Sequence, residues 1–201
     1  MSTLRLPSIS PEEYIKIDSR TNERHEYHNG QMFAMSGGSM IHSQLKVNLV
    51  VAVQSRLKNS PCRTFDGDLR LLIETSGTMT YPDLSIFCGP PIPAKKLKHT
   101  FLNPTVLIEV LSPSTERYDR GKKFAQYRTI SSLKEYILAA QDEYAIDHFR
   151  RTASDQWALT SIRGKDATLT IASASVSIPL SEIYDRVSSE ELAQNGLTSA
   201  N

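Results

Sequence analysis

Apolar positions along this chain change their period several times, and each change marks an element. From Met40 to Lys58, Ile41, Leu45, Leu49, Val53 and Leu57 recur every fourth residue, which predicts an amphipathic helix laid on a sheet. Val106-Leu107-Ile108 is a short unbroken apolar run after Pro104, suited to a strand buried on both faces. Tyr81 to Phe87 reads as a second such strand, and Cys62 to Phe65, Leu69 to Glu74, Leu133 to Ala140, Tyr144 to Arg151, Trp157 to Ile162 and Ala167 to Ile171 as further ones. Asn29-Gly30 between His25-Glu26-Tyr27 and Met32-Phe33-Ala34-Met35 is a hairpin signal. Ser10-Pro11-Glu12-Glu13 carries a capping serine, a first-turn proline and a glutamate three residues on, and predicts a short helix to Ile17. Thr75 to Met79 and Pro93 to His99 read as loops, Gly164-Lys165-Asp166 as a hairpin turn, and Pro179-Leu180-Ser181 as the start of a last helix through Val187. This order of helices and strands predicts a single α/β domain over residues 1–187, with a mixed central sheet flanked by helices. The polar, weakly periodic residues 188–201 read as a flexible tail.

One position breaks the apolar pattern. Glu109 sits inside the run Val106 to Leu111, where a carboxylate is costly unless something pairs with it. Ser112-Pro113-Ser114-Thr115 then ends the strand, and the following helix carries Asp119, Lys123 and Tyr127 four residues apart, on one face. Asp83 lies at the start of the strand Tyr81 to Phe87. Neighbouring strands lie ~4.8 Å apart, so Asp83 and Glu109 at matching heights can share one cation, with Lys123 beside them. Carboxylate oxygens suit Mg²⁺, which one or two carboxylates hold together with water and substrate phosphate. The lysine would orient the attacking water or steady charge on phosphate. The same pattern fits a structural ion pair buried between strand and helix equally well.

Pro82-Asp83 followed by Glu109 resembles the PD-(D/E)XK nuclease superfamily, whose fold is restriction-endonuclease-like. The string Glu109-Val110-Leu111-Ser112-Pro113-Ser114-Thr115, with Asp119, Lys123, Tyr127 and Glu135-Tyr136, resembles its Uma group of endonucleases. The likeness runs from about Glu26 to about Asp185. In the superfamily the lysine usually stands two residues after the glutamate, a position filled here by Leu111; in the Uma group a helix lysine replaces it, and Lys123 is the match. Lys122 points about 100° away on a regular helix. The resemblance implies Asp83, Glu109 and Lys123 as catalytic residues, with Asp83 and Glu109 holding Mg²⁺ or Mn²⁺. It also brings Glu26, His42 and Asp68 forward as auxiliary residues beside Asp119 and Tyr127. Read without it, Glu26 is an exposed strand residue, and His42 a helix cap or a satisfied structural histidine.

Composition narrows the partners. Hydrophobic content of 39% and charged content of 22% in 201 residues are ordinary for a globular protein, and a net charge of +1 gives no bulk attraction to polyanions. Any grip on nucleic acid must then be local, with Lys95, Lys96, Lys98, Arg117 and Arg120 as candidate phosphate contacts, although a basic loop is more often simply solvated. Cys62 and Cys88 fit no metal spacing and read as reduced thiols. The N-terminus has no apolar signal core and no run reaches transmembrane length, so a cytoplasmic protein is expected. The reading that joins these features is a metal-dependent endonuclease acting on nucleic acid, DNA in preference to RNA, and working as a homodimer. A binding module with an inert site, or a hydrolase of another phosphate ester, are its alternatives.

Overall fold

The computed structural model describes residues 8–35 and 37–187. Helix α1 (Pro11–Asp18) starts as expected: the Ser10 hydroxyl accepts from the Glu13 amide at 3.1 Å. Strands β1 (His25–His28) and β2 (Gln31–Ala34) form a hairpin whose turn residues Asn29 and Gly30 have φ of 49° and 81°. Both angles are positive, as a type I′ turn demands. Helix α2 (Met40–Arg56) buries Leu45, Leu49, Ala52 and Val53. Strands β3 (Cys62–Asp66), β4 (Arg70–Ile73), β5 (Thr78–Thr80), β6 (Leu84–Cys88), β7 (Thr100–Phe101) and β8 (Val106–Val110) follow.

After β8 the chain makes α3 (Glu116–Tyr118), a π-helical turn over Asp119–Lys123, and α4 (Phe124–Tyr127). The regular helix expected here is therefore interrupted. The Tyr136 hydroxyl donates to the Asp119 carbonyl at 3.2 Å, a side chain inserted at the widened turn. The chain ends in β9 (Glu135–Ala139), β10 (Ala145–Arg151), β11 (Trp157–Arg163), β12 (Thr168–Ile171), β13 (Val176–Pro179) and α5 (Leu180–Ile183). The tail expected at 188–201 lies outside the described residues.

The central sheet has six strands in the order β11-β10-β9-β8-β6-β3, mixed because β8 and β9 run parallel while the other pairs are antiparallel. Val106, Ile108 and Val110 pack with Leu45, Leu49 and Val53 of α2 and with the hairpin β12-β13. Leu107 and Leu111 point the other way, into a cluster with Tyr127, Leu133 and Tyr136. Glu109 shares the parity of that second set. A second sheet, β2-β1-β5-β4-β7, packs its Tyr27 and Met79 against Tyr14 of α1.

Four expectations need correction. Residues Thr78–Thr80 form a strand where a loop was expected, and Thr100–Phe101 and Val176–Pro179 are unforeseen ones; at two to four residues they are too short to carry a period. The last helix is a single turn ending at Ile183. The Gly164 to Asp166 turn does not join a hairpin, because β12 pairs with β13 and not with β11. Cys62 and Cys88 are not reduced thiols: they are direct partners in the β3–β6 register and form a disulfide. A separation of 26 residues in sequence gives no hint of that register.

Candidate active site

The antiparallel register of β6 and β8 sets the site. Leu84 pairs with Ile108, so one step further Asp83 stands against Glu109. The acids then hold each other's backbone: the Asp83 amide donates to Glu109 Oε2 at 3.3 Å, and the Val110 amide donates to Asp83 Oδ2 at 2.9 Å. Each carboxylate thus takes an N–H at the point where the ladder ends, as buried backbone donors require.

Helix α3, the π turn and α4 cover Glu109. Lys123 Nζ lies 2.8 Å from Glu109 Oε1, 3.5 Å from Asp119 Oδ1 and 3.6 Å from Glu26 Oε1. The Tyr127 hydroxyl donates to the same Glu109 oxygen at 2.9 Å. Asp119, Lys123 and Tyr127 are buried, whereas Lys122 is exposed. Glu26 comes from β1 of the second sheet and accepts from the Thr80 hydroxyl of β5.

Helix α2 covers Asp83. His42 Nε2 lies 3.3 Å from Asp83 Oδ2, and Lys46 Nζ lies 3.0 Å from Asp83 Oδ1. The helix start is pinned over the site by a polar strap. The Ser39 Oγ accepts from the His42 amide at 3.1 Å and donates to Gln141 Oε1 at 2.7 Å, while Gln141 Nε2 donates to the Leu111 carbonyl at 2.5 Å.

The two carboxyls are pushed in opposite directions. Burial pushes Glu109 up to about 8, with the Lys123 ammonium pulling against it and the Asp83 and Asp119 carboxylates adding to the rise. Burial pushes Asp83 the same way, but the hydrogen bond and charge of His42, the Lys46 ammonium and the Val110 amide outweigh it and hold the group well below the usual carboxylate range. Burial also raises Asp119. Burial works against the charge of Lys123, yet Glu109, Tyr127, Glu26 and Asp119 hold its ammonium well above the ordinary lysine range.

Ion pairs link four carboxylates, Glu26, Asp83, Glu109 and Asp119, to two ammonium groups, Lys46 and Lys123. Two ammonium groups thus serve four carboxyl groups. The donors are oxygens, which suits a hard divalent cation. Among the described residues no three His, Cys, Asp or Glu side chains are arranged to hold a metal by themselves. A Mg²⁺ held by one or two carboxylates, with water and substrate phosphate completing its shell, needs no such group.

The structure does not bring every sequence candidate here. Asp68 pairs with Arg24 at the surface, its side chain 67% exposed. Its neighbour Gly67 lies beside the site: a Cβ added there would stand 3.3 Å from Lys46 Nζ and 3.6 Å from the Pro82 carbonyl oxygen. Arg120 is not a spare cation: it binds Glu116 at 2.7 Å and Asp147 at 2.5 Å. Lys95, Lys96, Lys98 and Arg117 are exposed. Lys46 was not foreseen. Its spacing of four from His42 places both on one helix face and was the available signal.

Comparison with known proteins now adds kinship. A family model described as "Uma2: Putative restriction endonuclease" matches residues 11–181. An uncharacterized protein of Synechocystis sp. is 35% identical over 178 residues, covering 89% of this chain and 92% of its own. A second protein of that organism, also described as uncharacterized, is 30% identical over 161 residues, covering 80% of this chain and 91% of its own. A crystal structure from Anabaena variabilis, described as "a putative nuclease belonging to DUF820", superposes with a TM-score of 0.72 at 21% identity, over 92% of this chain and 99% of that one. At that identity the likeness concerns the fold, which is restriction-endonuclease-like.

Proposed function

The chain belongs to the Uma2 family, and on that premise we propose that it is a divalent-cation-dependent endonuclease hydrolysing phosphodiester bonds in nucleic acid, with DNA as the preferred substrate. The observation that carries this reading is the facing of Asp83 and Glu109 across β6 and β8, within a cluster of four carboxyl groups served by two ammonium groups. Asp83 and Glu109 would hold Mg²⁺ or Mn²⁺. Bound there, the cation supplies Lewis-acid polarisation of the scissile phosphate and offsets the charge that develops on it.

The chain's own residues do the rest. Tyr127 and the Asp83 amide fix the Glu109 carboxylate from two sides. Lys123 Nζ, which Glu109, Asp119 and Glu26 keep protonated, donates to the attacking water or to a phosphate oxygen. His42 and the Val110 amide orient Asp83. Lys95, Lys96, Lys98 and Arg117 would contact phosphates, and a two-fold homodimer would match the antiparallel strands of a duplex. Among the described residues no helix is long and apolar enough to cross a membrane. We place the protein in the cytoplasm with its substrate, although the Cys62–Cys88 disulfide removes the thiol argument for that setting.

The test is a cleavage screen on duplex and single-stranded DNA and RNA with Mg²⁺ or Mn²⁺, using Asp83→Ala as control. Metal-dependent cleavage that the control lacks is expected; equal cleavage by the control refutes the assignment. A second reading, an inert ion-pair core on a nucleic-acid-binding module, draws on the saturation of Glu109 by Lys123, Tyr127 and a backbone amide. It predicts that divalent cations leave the melting temperature unchanged. The endonuclease reading predicts a rise of ~2.7 kcal/mol in stability at a hundredfold excess over Kd, lost in the double variant Asp83→Asn, Glu109→Gln.

A further inference from the structure

Lys46 differs from Lys123 in the way that matters for exchange. Both are ion-paired to a site carboxylate, but the Lys123 side chain is 9% exposed and faces three carboxylates, whereas that of Lys46 is 31% exposed and, among the described residues, is paired with Asp83 alone. The other Asp83 oxygen is engaged, Oδ2 taking the Val110 amide at 2.9 Å and His42 Nε2 at 3.3 Å. Oδ1 is thus the oxygen left to face a metal, and Lys46 Nζ stands 3.0 Å from it. On one side the ammonium is walled in: a Cβ added to Gly67 would lie 3.3 Å from Lys46 Nζ and 3.6 Å from the Pro82 carbonyl oxygen. The open direction is outward, and a four-carbon stem lets the charge swing that way.

We propose that Lys46 is a displaceable counter-ion of Asp83: it neutralises Oδ1 while no metal is bound, yields that oxygen to a divalent cation, and then contacts a backbone phosphate of the nucleic acid. This rests on the metal-site reading given above and adds an order of events to it. An ammonium and a divalent cation both seek the same carboxylate oxygen, so they compete. Once displaced, a strongly hydrated point charge at the mouth of an acidic site finds its nearest stable partner in a phosphate oxygen.

Competition and phosphate contact predict effects of opposite sign, which a purely structural lysine cannot produce. Lys46→Met keeps the length of the stem and removes the charge. Mn²⁺ affinity, titrated calorimetrically on the full chain without nucleic acid, should rise severalfold. Affinity for a duplex oligonucleotide should fall, with the slope of log K against log salt reduced by about one. Lys46→Arg should keep the salt slope. Lys46→Gln gives the same two readouts should the methionine variant fold poorly, with circular dichroism reporting the fold. Unchanged or weaker Mn²⁺ binding in both neutral variants overturns the counter-ion role, and an unchanged salt slope overturns the phosphate contact. Asp83→Asn separates this idea from its premise: it should abolish Mn²⁺ binding whatever residue stands at 46. If Asp83→Asn binds Mn²⁺ like the wild type, the metal site itself is wrong and the Lys46 proposal falls with it.

Discussion

Two buried charge clusters lie near each other in this fold, and they are built on different accounts. Beside α1, Asp18 Oδ2 accepts from Arg70 Nη2 at 2.5 Å and from the Tyr81 hydroxyl at 2.6 Å, while Asp18 Oδ1 accepts from the His25 amide at 2.9 Å. Arg70 Nε donates to the Tyr81 oxygen at 2.7 Å, and the guanidinium lies over the Tyr14 and Tyr81 rings. There one carboxylate meets one guanidinium, and hydrogen bonds fill both. Two residues along from Tyr81, the Asp83–Glu109 cluster gathers four carboxylates around two ammonium groups. A balanced buried pair is complete as it stands, whereas an unbalanced one is relieved by a proton or by a cation from outside. The comparison shows how to tell a structural ion pair from a site by its charge balance, when burial alone marks both.

The strongest way to break the comparison is Arg70→Met. It leaves Asp18 buried and unpaired, and stability should fall by about 3–5 kcal/mol, read from denaturant unfolding. The Mn²⁺-induced rise in melting temperature should survive; its loss would make the Asp18 network part of how Asp83 is positioned through Tyr81-Pro82.

Next in size, Lys123→Ala should lower the cleavage rate roughly a hundredfold while leaving Kd for the oligonucleotide nearly unchanged, because an interaction made only in the transition state affects rate alone. Lys123→Arg should not restore it, since a planar fork cannot replace a compact ammonium. A variant that fails to fold, with both acids intact, would move this cluster to the structural side of the comparison.

The pH dependence sharpens it further. Glu109 is raised from 4.5 to about 8 in the folded protein. Between those values the native state keeps a proton that the unfolded chain has lost, so this group's contribution to stability is full at low pH and declines as pH rises toward 8. Metal requires the ionised form. Mn²⁺ affinity should therefore climb by up to about tenfold per pH unit below 8 and level off above it, with proton release visible as a buffer-dependent heat. A flat profile across that range would show that Glu109 is already ionised. The Asp18 cluster, whose carboxyl is pulled below its ordinary range by the Tyr81 and Arg70 hydrogen bonds against the push of burial, should contribute nothing to this slope.

The smallest effect belongs to the exposed lysines. Replacing Lys95, Lys96 or Lys98 singly with alanine should reduce the salt slope of duplex binding by no more than about one each and leave Mn²⁺ binding alone. No change in slope for any of them would return that loop to plain solvation.

Some of this was legible in the sequence for physical reasons. A glutamate inside an apolar run is too costly to stand unpaired, and the Lys123 and Tyr127 spacing names its partners. The α2 helix shows because five apolar residues share one period. Lys46 escaped because a lysine on a helix face normally means solvent, and only the fold shows an acid opposite it. Asp68 misled because a turn adjoining the site carries its aspartate outward to Arg24. The π turn has no local signature, and the hydroxyl that meets its Asp119 carbonyl comes from Tyr136 on β9. The disulfide depends on the register of two strands 26 residues apart, and the short strands hold too few residues to show a period.

The paired N–H contacts between Asp83 and Glu109 also bear on when the site exists. Their donors and acceptors come from segments 26 and 27 residues apart, and neither bond forms until that loop closes and β6 zips against β8. A nascent or partly opened chain therefore holds the right residues without their assembly. The facing of the two acids is therefore a property of the completed sheet, and on the proposed reading any hydrolytic power appears only with folding.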